Sequence, residues 1–172
     1  TEEVVKMVNA NTTLHWGQKY EPLSVLIYEQ KYNTKVEDFG CIQHPVYKFI
    51  GASPDGIIVD KNSDRYGRML EIKNVVSRDI NGIPKKEYWV QMQLQMEVCD
   101  LDECDFLETR FTEYPDLESY TNANAVDANA VDANANAVDT NTYKGIMMLF
   151  MNKNGQPLYE YAPLDLSVED LA

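Results

Sequence analysis

Hydrophobic and polar positions recur with two different periods along this chain. Residues 14–32 carry Leu23, Leu26 and Ile27 at helical spacing, which predicts a helix whose apolar face they form. Pro22 fits near a helix start, so the regular part is expected from about Glu21 to Tyr32. Residues 36–50 read as extended pieces, and Tyr47, Phe49 and Ile50 before Gly51 suggest a strand. Two more strands are expected at Gly56–Val59 and Met69–Asn74, joined by a polar loop. Residues 85–99 predict a second helix, with Trp89, Met92, Gln93 and Met96 on one stripe and Tyr88, Gln91 and Gln95 on another. Strands follow at Phe106–Phe111, Tyr143–Met151 and Leu158–Tyr161, the last two joined by the turn signal Asn-Lys-Asn-Gly. The order is helix, three strands, helix, strand and terminal hairpin: an α/β pattern with mixed strand directions.

Residues 121–142 break the pattern. Ala-Asn-Ala-Val-Asp recurs at 123–127, 128–132 and 135–139. Side chains this small bury too little surface to offset the entropy of ordering them. This stretch is expected to be a low-complexity, disordered surface insertion in a single domain spanning 1–172. A partner-binding segment is the functional alternative.

Composition sets the bounds. The 172 residues, 44% hydrophobic and 25% charged, suit one globular domain with a real core. No apolar run approaches a membrane span, and Thr1–Ala10 lacks the pattern of a signal peptide. Three cysteines, Cys41, Cys99 and Cys104, argue for reduced thiols and an intracellular setting. The net charge of −13 weighs against a nucleic-acid partner. The balance is uneven, however. Residues 97–118 hold nine acids against Arg110 alone, whereas residues 61–90 hold seven bases against four acids.

That basic stretch overlaps the unusual feature of the chain. A hairpin that should be buried carries Asp55, Glu71 and Lys73. With the loop centred near Asp64, Ile58 would face Leu70 and Asp55 would face Lys73. Glu71 and Lys73 share a face because they are two residues apart. Two carboxylates held together repel, so one must bind a proton or both must bind a cation. Mg²⁺ takes oxygen ligands and is satisfied by one or two carboxylates plus a phosphate. A lysine beside it can orient a water or stabilise charge on a phosphoryl oxygen. Asp with Glu-x-Lys is thus a compact kit for phosphodiester hydrolysis. An ordinary surface hairpin with an acid–base pair would read the same way on this pattern alone.

His-Trp-Gly-x3-Glu-Pro at 15–22, Ala-Ser-Pro-Asp-Gly at 52–56, Leu-Glu-Ile-Lys at 70–73 and Tyr-Trp-Val-Gln-Met-Gln at 88–93 occur in that order. Together they resemble the YqaJ-like viral recombinase family, which includes phage lambda exonuclease and belongs to the PD-(D/E)XK nuclease superfamily. The resemblance implies a restriction-endonuclease-like core, a central mixed β-sheet flanked by helices. It implies a metal-dependent nuclease, an exonuclease at linear duplex DNA ends in recombination or replication. Asp55, Glu71, the Ile72 carbonyl and Glu21 would hold Mg²⁺ or Mn²⁺, Lys73 would position the attacking water, and Gln91 would steady the site. Arg65, Arg68, Arg78, Lys85 and Lys86 would meet phosphates.

The resemblance also suggests a single-strand annealing protein as partner, a homo-oligomer such as a ring-like trimer, and a viral source acting in a host's cytoplasm or nucleus. The chain departs from the family by the repeat insert, by a longer loop between Asp55 and Glu71, and by an N-terminal region that is expected to be incomplete. Two rival readings stand beside this one. The first is a non-catalytic nucleic-acid-binding or scaffold protein that kept the fold. The second is a cysteine-metal protein using Cys41, His44, Cys99 and Cys104, whose spacing is poor for zinc. His15, beside Trp16 and Gly17, reads as a packing or capping residue.

Overall fold

The computed structural model describes residues 12–122 and 144–164. The chain divides into two compact units, Tyr20–Phe111 and a second made of Thr1–Lys19 with Thr112–Ala172. The division falls inside the first helix, α1 (Thr13–Tyr32). Among the described residues, no helix is long and apolar enough to cross a membrane.

The Tyr20–Phe111 unit is built on a four-stranded sheet in the order β1 (Val36–Glu37), β4 (Gly56–Ile58), β5 (Met69–Asn74), β6 (Cys104–Thr109). β1 and β5 pair antiparallel with β4, while β5 and β6 are parallel. Parallel neighbours need a crossover, and the segment carrying α2 (Lys86–Cys99) supplies it. A separate ribbon, β2 (Ile42–Gln43) with β3 (Gly51–Ala52), leads into β4. The mixed sheet with helices matches the expected α/β class.

The core forms where β5 runs through the middle of the sheet. Met69, Leu70, Glu71 and Ile72 are all buried, and Tyr28, Ile58, Leu70 and Ile72 make one cluster with Val25, Tyr32, Val36 and Leu107 against it. Gly56 has a steric reason: a Cβ there would lie 2.2 Å from Val36 Cγ1, so β1 and β4 approach this closely only at glycine.

Four expectations are corrected. First, α1 starts at Thr13 and holds Pro22 inside it. Second, its inner face is Tyr20, Ser24 and Tyr28, whereas Leu26 is exposed. That face meets polar groups of the sheet. The Ser24 and Thr109 hydroxyls each donate to Asn74 Oδ1 at 2.7 Å, and the Tyr28 hydroxyl donates to Asp105. Third, Tyr47–Ile50 is a turn rather than a strand, because Ile50 N–H bonds the Tyr47 carbonyl at 2.9 Å instead of a neighbouring strand. Fourth, Gly56 pairs with Leu70 and Ile57 with Met69, so the β4–β5 register is shifted by two residues and Asp55 does not face Lys73. The shift arises because the loop closes early, with Ile58 N–H bonding the Arg68 carbonyl and Gly67 N–H bonding the Ile58 carbonyl, each at 2.9 Å. An even shift preserves which side chains share a face.

In the other unit, β7 (Met147–Met151) and β8 (Pro157–Tyr161) form an antiparallel hairpin, and α3 covers Leu117–Asn122. Gly155 takes a left-handed φ of 70° in the connecting turn. His15 is buried and its Nε2 meets the Tyr159 hydroxyl, as a packing residue should. Of the proposed insert, residues 121–122 end α3; the rest lies outside the described residues.

Candidate functional site

The site grows from the point where β4 stops short of β5. β5 is paired with β4 only at Met69 and Leu70, yet it continues along β6 to Asn74. Met69 N–H bonds the Glu103 carbonyl and Val75 N–H bonds the Thr109 carbonyl, so the odd-numbered amides of β5 face β6. The amide of Ile72 therefore faces the open side, where a strand partner is missing. Asp55 takes its place: Ile72 N–H donates to Asp55 Oδ2 at 2.6 Å. A strand residue directs its own N–H and C=O to the same side, so the Ile72 carbonyl opens toward Asp55 as well.

Glu71 is fully buried. Its Oε1 accepts from the Lys73 ammonium and, at 2.9 Å, from the Gln91 amide on α2. Its Oε2 has no hydrogen-bond partner. A buried carboxylate oxygen left bare is costly, on the order of 1–3 kcal/mol and more when charged. The Lys73 ammonium also lies 5.0 Å over the Tyr88 ring, so it is held between an anion and a π face. Lower on α2, Gln95 Nε2 donates to the Ser53 carbonyl at 3.2 Å, which fixes the turn carrying Asp55.

The electrostatics follow from this crowding. Burial, then the charge of Glu71, pushes the Asp55 carboxyl up to about 7, against the opposing pull of the Ile72 N–H. Glu21 on α1 is also raised, by burial first and then by Asp38, with Lys73 acting in the opposite direction and Glu71 adding to the rise. An acid whose folded-state pKa is raised binds its proton more tightly folded than unfolded. Its stabilising contribution is complete below about 4 and is lost as pH rises through about 7. In EDTA, wild-type stability should therefore fall across that window, and Asp55→Asn should remove part of the slope. Denaturant unfolding at several pH values measures it.

The expected site residues divide into two groups. Asp55, Glu71, Ile72, Lys73 and Gln91 are brought together, and Glu21 feels the charges of Lys73 and Glu71. The expected phosphate contacts differ. Arg65 pairs with Asp105 and lies 3.7 Å over the Tyr32 ring; Arg68 reaches Glu103 and Asp105, each at 3.2 Å. Arg78 pairs with the buried Glu108. Lys85 and Lys86 are exposed at the start of α2. Of the stripe shared with Trp89, only Met92 is buried and Trp89 is 53% exposed; α2 buries Met92, Gln95 and Val98. Tyr88 and Gln95 are the supporting residues that sequence reading undervalued. Their signal was the three-to-four-residue spacing with Gln91.

Asp55 and the bare Glu71 oxygen, with the Ile72 carbonyl beside them, are hard oxygen donors of the kind Mg²⁺ or Mn²⁺ takes. Among the described residues, no three His, Cys, Asp or Glu side chains close into a cage, and a cation that keeps several waters needs none. The cysteine-metal reading fares worse. Cys41 is exposed, and among the described residues the cysteines and His44 do not gather into a group of three that could hold a metal.

Comparison with known proteins adds relatives. An uncharacterized protein of Acanthamoeba polyphaga mimivirus, R354, is 36% identical over 156 residues, 84% of this chain. The chain spans 28% of that relative's length. The alkaline exonuclease LHK-Exo of Laribacter hongkongensis superposes with a TM-score of 0.49 at 30% identity, covering 58% of this chain and 51% of the other. The same enzyme in complex with dAMP gives 0.47 at 31% identity, over 60% and 51%. Residues 2–102 match the YqaJ-like viral recombinase domain. The chain belongs to that family.

Proposed function

We propose that this chain is a metal-dependent deoxyribonuclease that hydrolyses phosphodiester bonds at the ends of linear duplex DNA. The observation that carries the reading is Glu71. One oxygen is held by Lys73 and Gln91, and the other is buried without a partner. An open carboxylate oxygen beside a second carboxylate is what a hard cation takes as a ligand. Family membership supports the same reading.

Asp55, Glu71 through Oε2, the Ile72 carbonyl and Glu21 would hold Mg²⁺ or Mn²⁺. Bound there, the cation supplies Lewis-acid stabilisation of charge on a phosphoryl oxygen. The Lys73 ammonium donates toward the attacking water and orients it. Gln91 keeps Glu71 in one rotamer, and Tyr88 keeps Lys73 over the site. The exposed Lys85 and Lys86 meet backbone phosphates, whereas Arg65 and Arg68 serve the fold through Asp105. A single-strand annealing protein is the partner that would receive the strand such an enzyme uncovers.

Digestion of end-labelled linear duplex beside a covalently closed circle tests this. With Mg²⁺ the label on the linear substrate is expected to be lost progressively while the circle survives. EDTA should stop the loss, and excess Mg²⁺ should restore it. A nicked circle would make the enzyme an endonuclease. An intact linear substrate in Mg²⁺ or Mn²⁺ would overturn the nuclease reading.

A further inference from the structure

The β2–β3 ribbon turns through His44–Ile50, and its tip is unusually apolar for an exposed loop. Phe49 is 87% exposed, Val46 71% and Tyr47 54%. Leaving such groups in water forgoes burial, so a cluster of them points to a partner. The tip is also held firmly. His44 N–H donates to the Ile50 carbonyl at 3.0 Å, and His44 Nδ1 accepts from Val46 N–H at 3.0 Å and Tyr47 N–H at 3.1 Å. Gln43 Nε2 donates to the Lys48 carbonyl at 2.7 Å. The rings are spaced along the turn, His44 to Tyr47 at 5.0 Å and Tyr47 to Phe49 at 6.2 Å.

Charge selects the partner. The chain carries 28 Asp and Glu, yet Phe39 through Pro54 contains none, and Lys48 stands between the two exposed rings. In the fold the Glu97 carboxylate on α2 reaches His44 Nε2 at 3.8 Å, at the foot of the turn's ring series. The tip's own segment adds a lysine and no acid to its exposed rings, a composition that suits a strand offering bases and phosphates. The tip is also tied to the site. β3 runs into Ser53, whose carbonyl Gln95 holds, and Asp55 follows two residues later. Asp55 lies six residues beyond Phe49, a reach of at most about 20 Å, roughly six nucleotides of strand at ~3.4 Å each.

We propose that Tyr47 and Phe49 are a stacking platform for unpaired bases of the DNA strand served by the Asp55–Glu71 site, with Lys48 against its phosphates. The inference rests on the nucleic-acid reading above and names the part of the substrate that the tip grips.

Binding in EDTA, where nothing is cleaved, separates the two claims. Fluorescence anisotropy would compare a labelled oligothymidylate with an abasic strand of equal length and charge. Wild type is expected to prefer the strand with bases. Phe49→Ala, and Tyr47→Ala with Phe49→Ala, should weaken binding to it about 10-fold or more and leave abasic binding unchanged. Phe49→Trp should restore the preference. Both side chains are largely in solvent, so these variants should keep the wild-type melting temperature. Equal wild-type affinity for both strands, or a variant that loses affinity for both alike, would overturn the platform. So would tip variants that bind both strands normally but no longer float with anionic vesicles. Tip-dependent binding without hydrolysis in Mg²⁺ would sink the nuclease reading and leave the platform standing.

Discussion

Glu71→Gln should lower hydrolysis of linear duplex DNA by about 10²–10³-fold in Mg²⁺, the effect expected when one charged group aimed at the reacting centre is removed. The replacement keeps the shape and the oxygen that Lys73 and Gln91 hold. It removes the negative charge and the bare Oε2 that a cation needs. Activity should therefore fail through metal binding, and raising Mg²⁺ or Mn²⁺ should recover part of it. The neutral side chain also takes away the charge that, after burial, does most to raise Asp55. The variant should thus lose stability less steeply as pH rises toward 7 in EDTA. Steady-state cleavage against metal concentration, with unfolding curves alongside, checks both halves. A variant as active as wild type at low Mg²⁺ would remove Glu71 from the metal site.

Lys73→Ala should cost about as much, ~10²–10³-fold, but by another route. Lys73 is only partly buried and its ammonium lies between Glu71 and the Tyr88 face, while Gln91 still holds the same Glu71 oxygen when Lys73 is removed. The loss should appear in kcat with little change in KM, and it should persist at saturating metal. Lys73→Arg should not rescue it, because a planar guanidinium cannot occupy the position of a compact ammonium. An equal loss of DNA affinity in the variant would instead make Lys73 a phosphate contact.

Much of this site was readable in the sequence because its residues sit on short, strongly patterned elements. Met69–Asn74 reads as a strand, and two residues apart on a strand Glu71 and Lys73 had to share a face. Gln91 could be placed on α2, but its spacing fits a solvated face equally well; the residue is in fact exposed, yet its amide reaches Glu71. The β4–β5 register was misjudged by two residues because the loop's internal hydrogen bonds are not visible in its composition. α1 was misread for a different reason. Apolar periodicity selects Leu23, Leu26 and Ile27, but the sheet offers Asn74, Thr109 and Asp105, and these reward Ser24 and Tyr28. Local charge is read differently along the chain and in the fold: Arg65 and Arg68 look like a basic run in sequence, and in the fold each also pairs with an acid, Asp105 or Glu103.

The central claim is that Asp55 and Glu71 form a cation site, and calorimetric titration of Mn²⁺ into the metal-free protein near pH 7 tests it most directly. The account predicts saturable binding to wild type with proton release, since Asp55 is half-protonated near that pH. It predicts much weaker binding to Glu71→Gln and Asp55→Asn, and near-normal binding to Lys73→Ala. Wild type that takes up no Mn²⁺, or Glu71→Gln that binds it as tightly as wild type, would contradict the account.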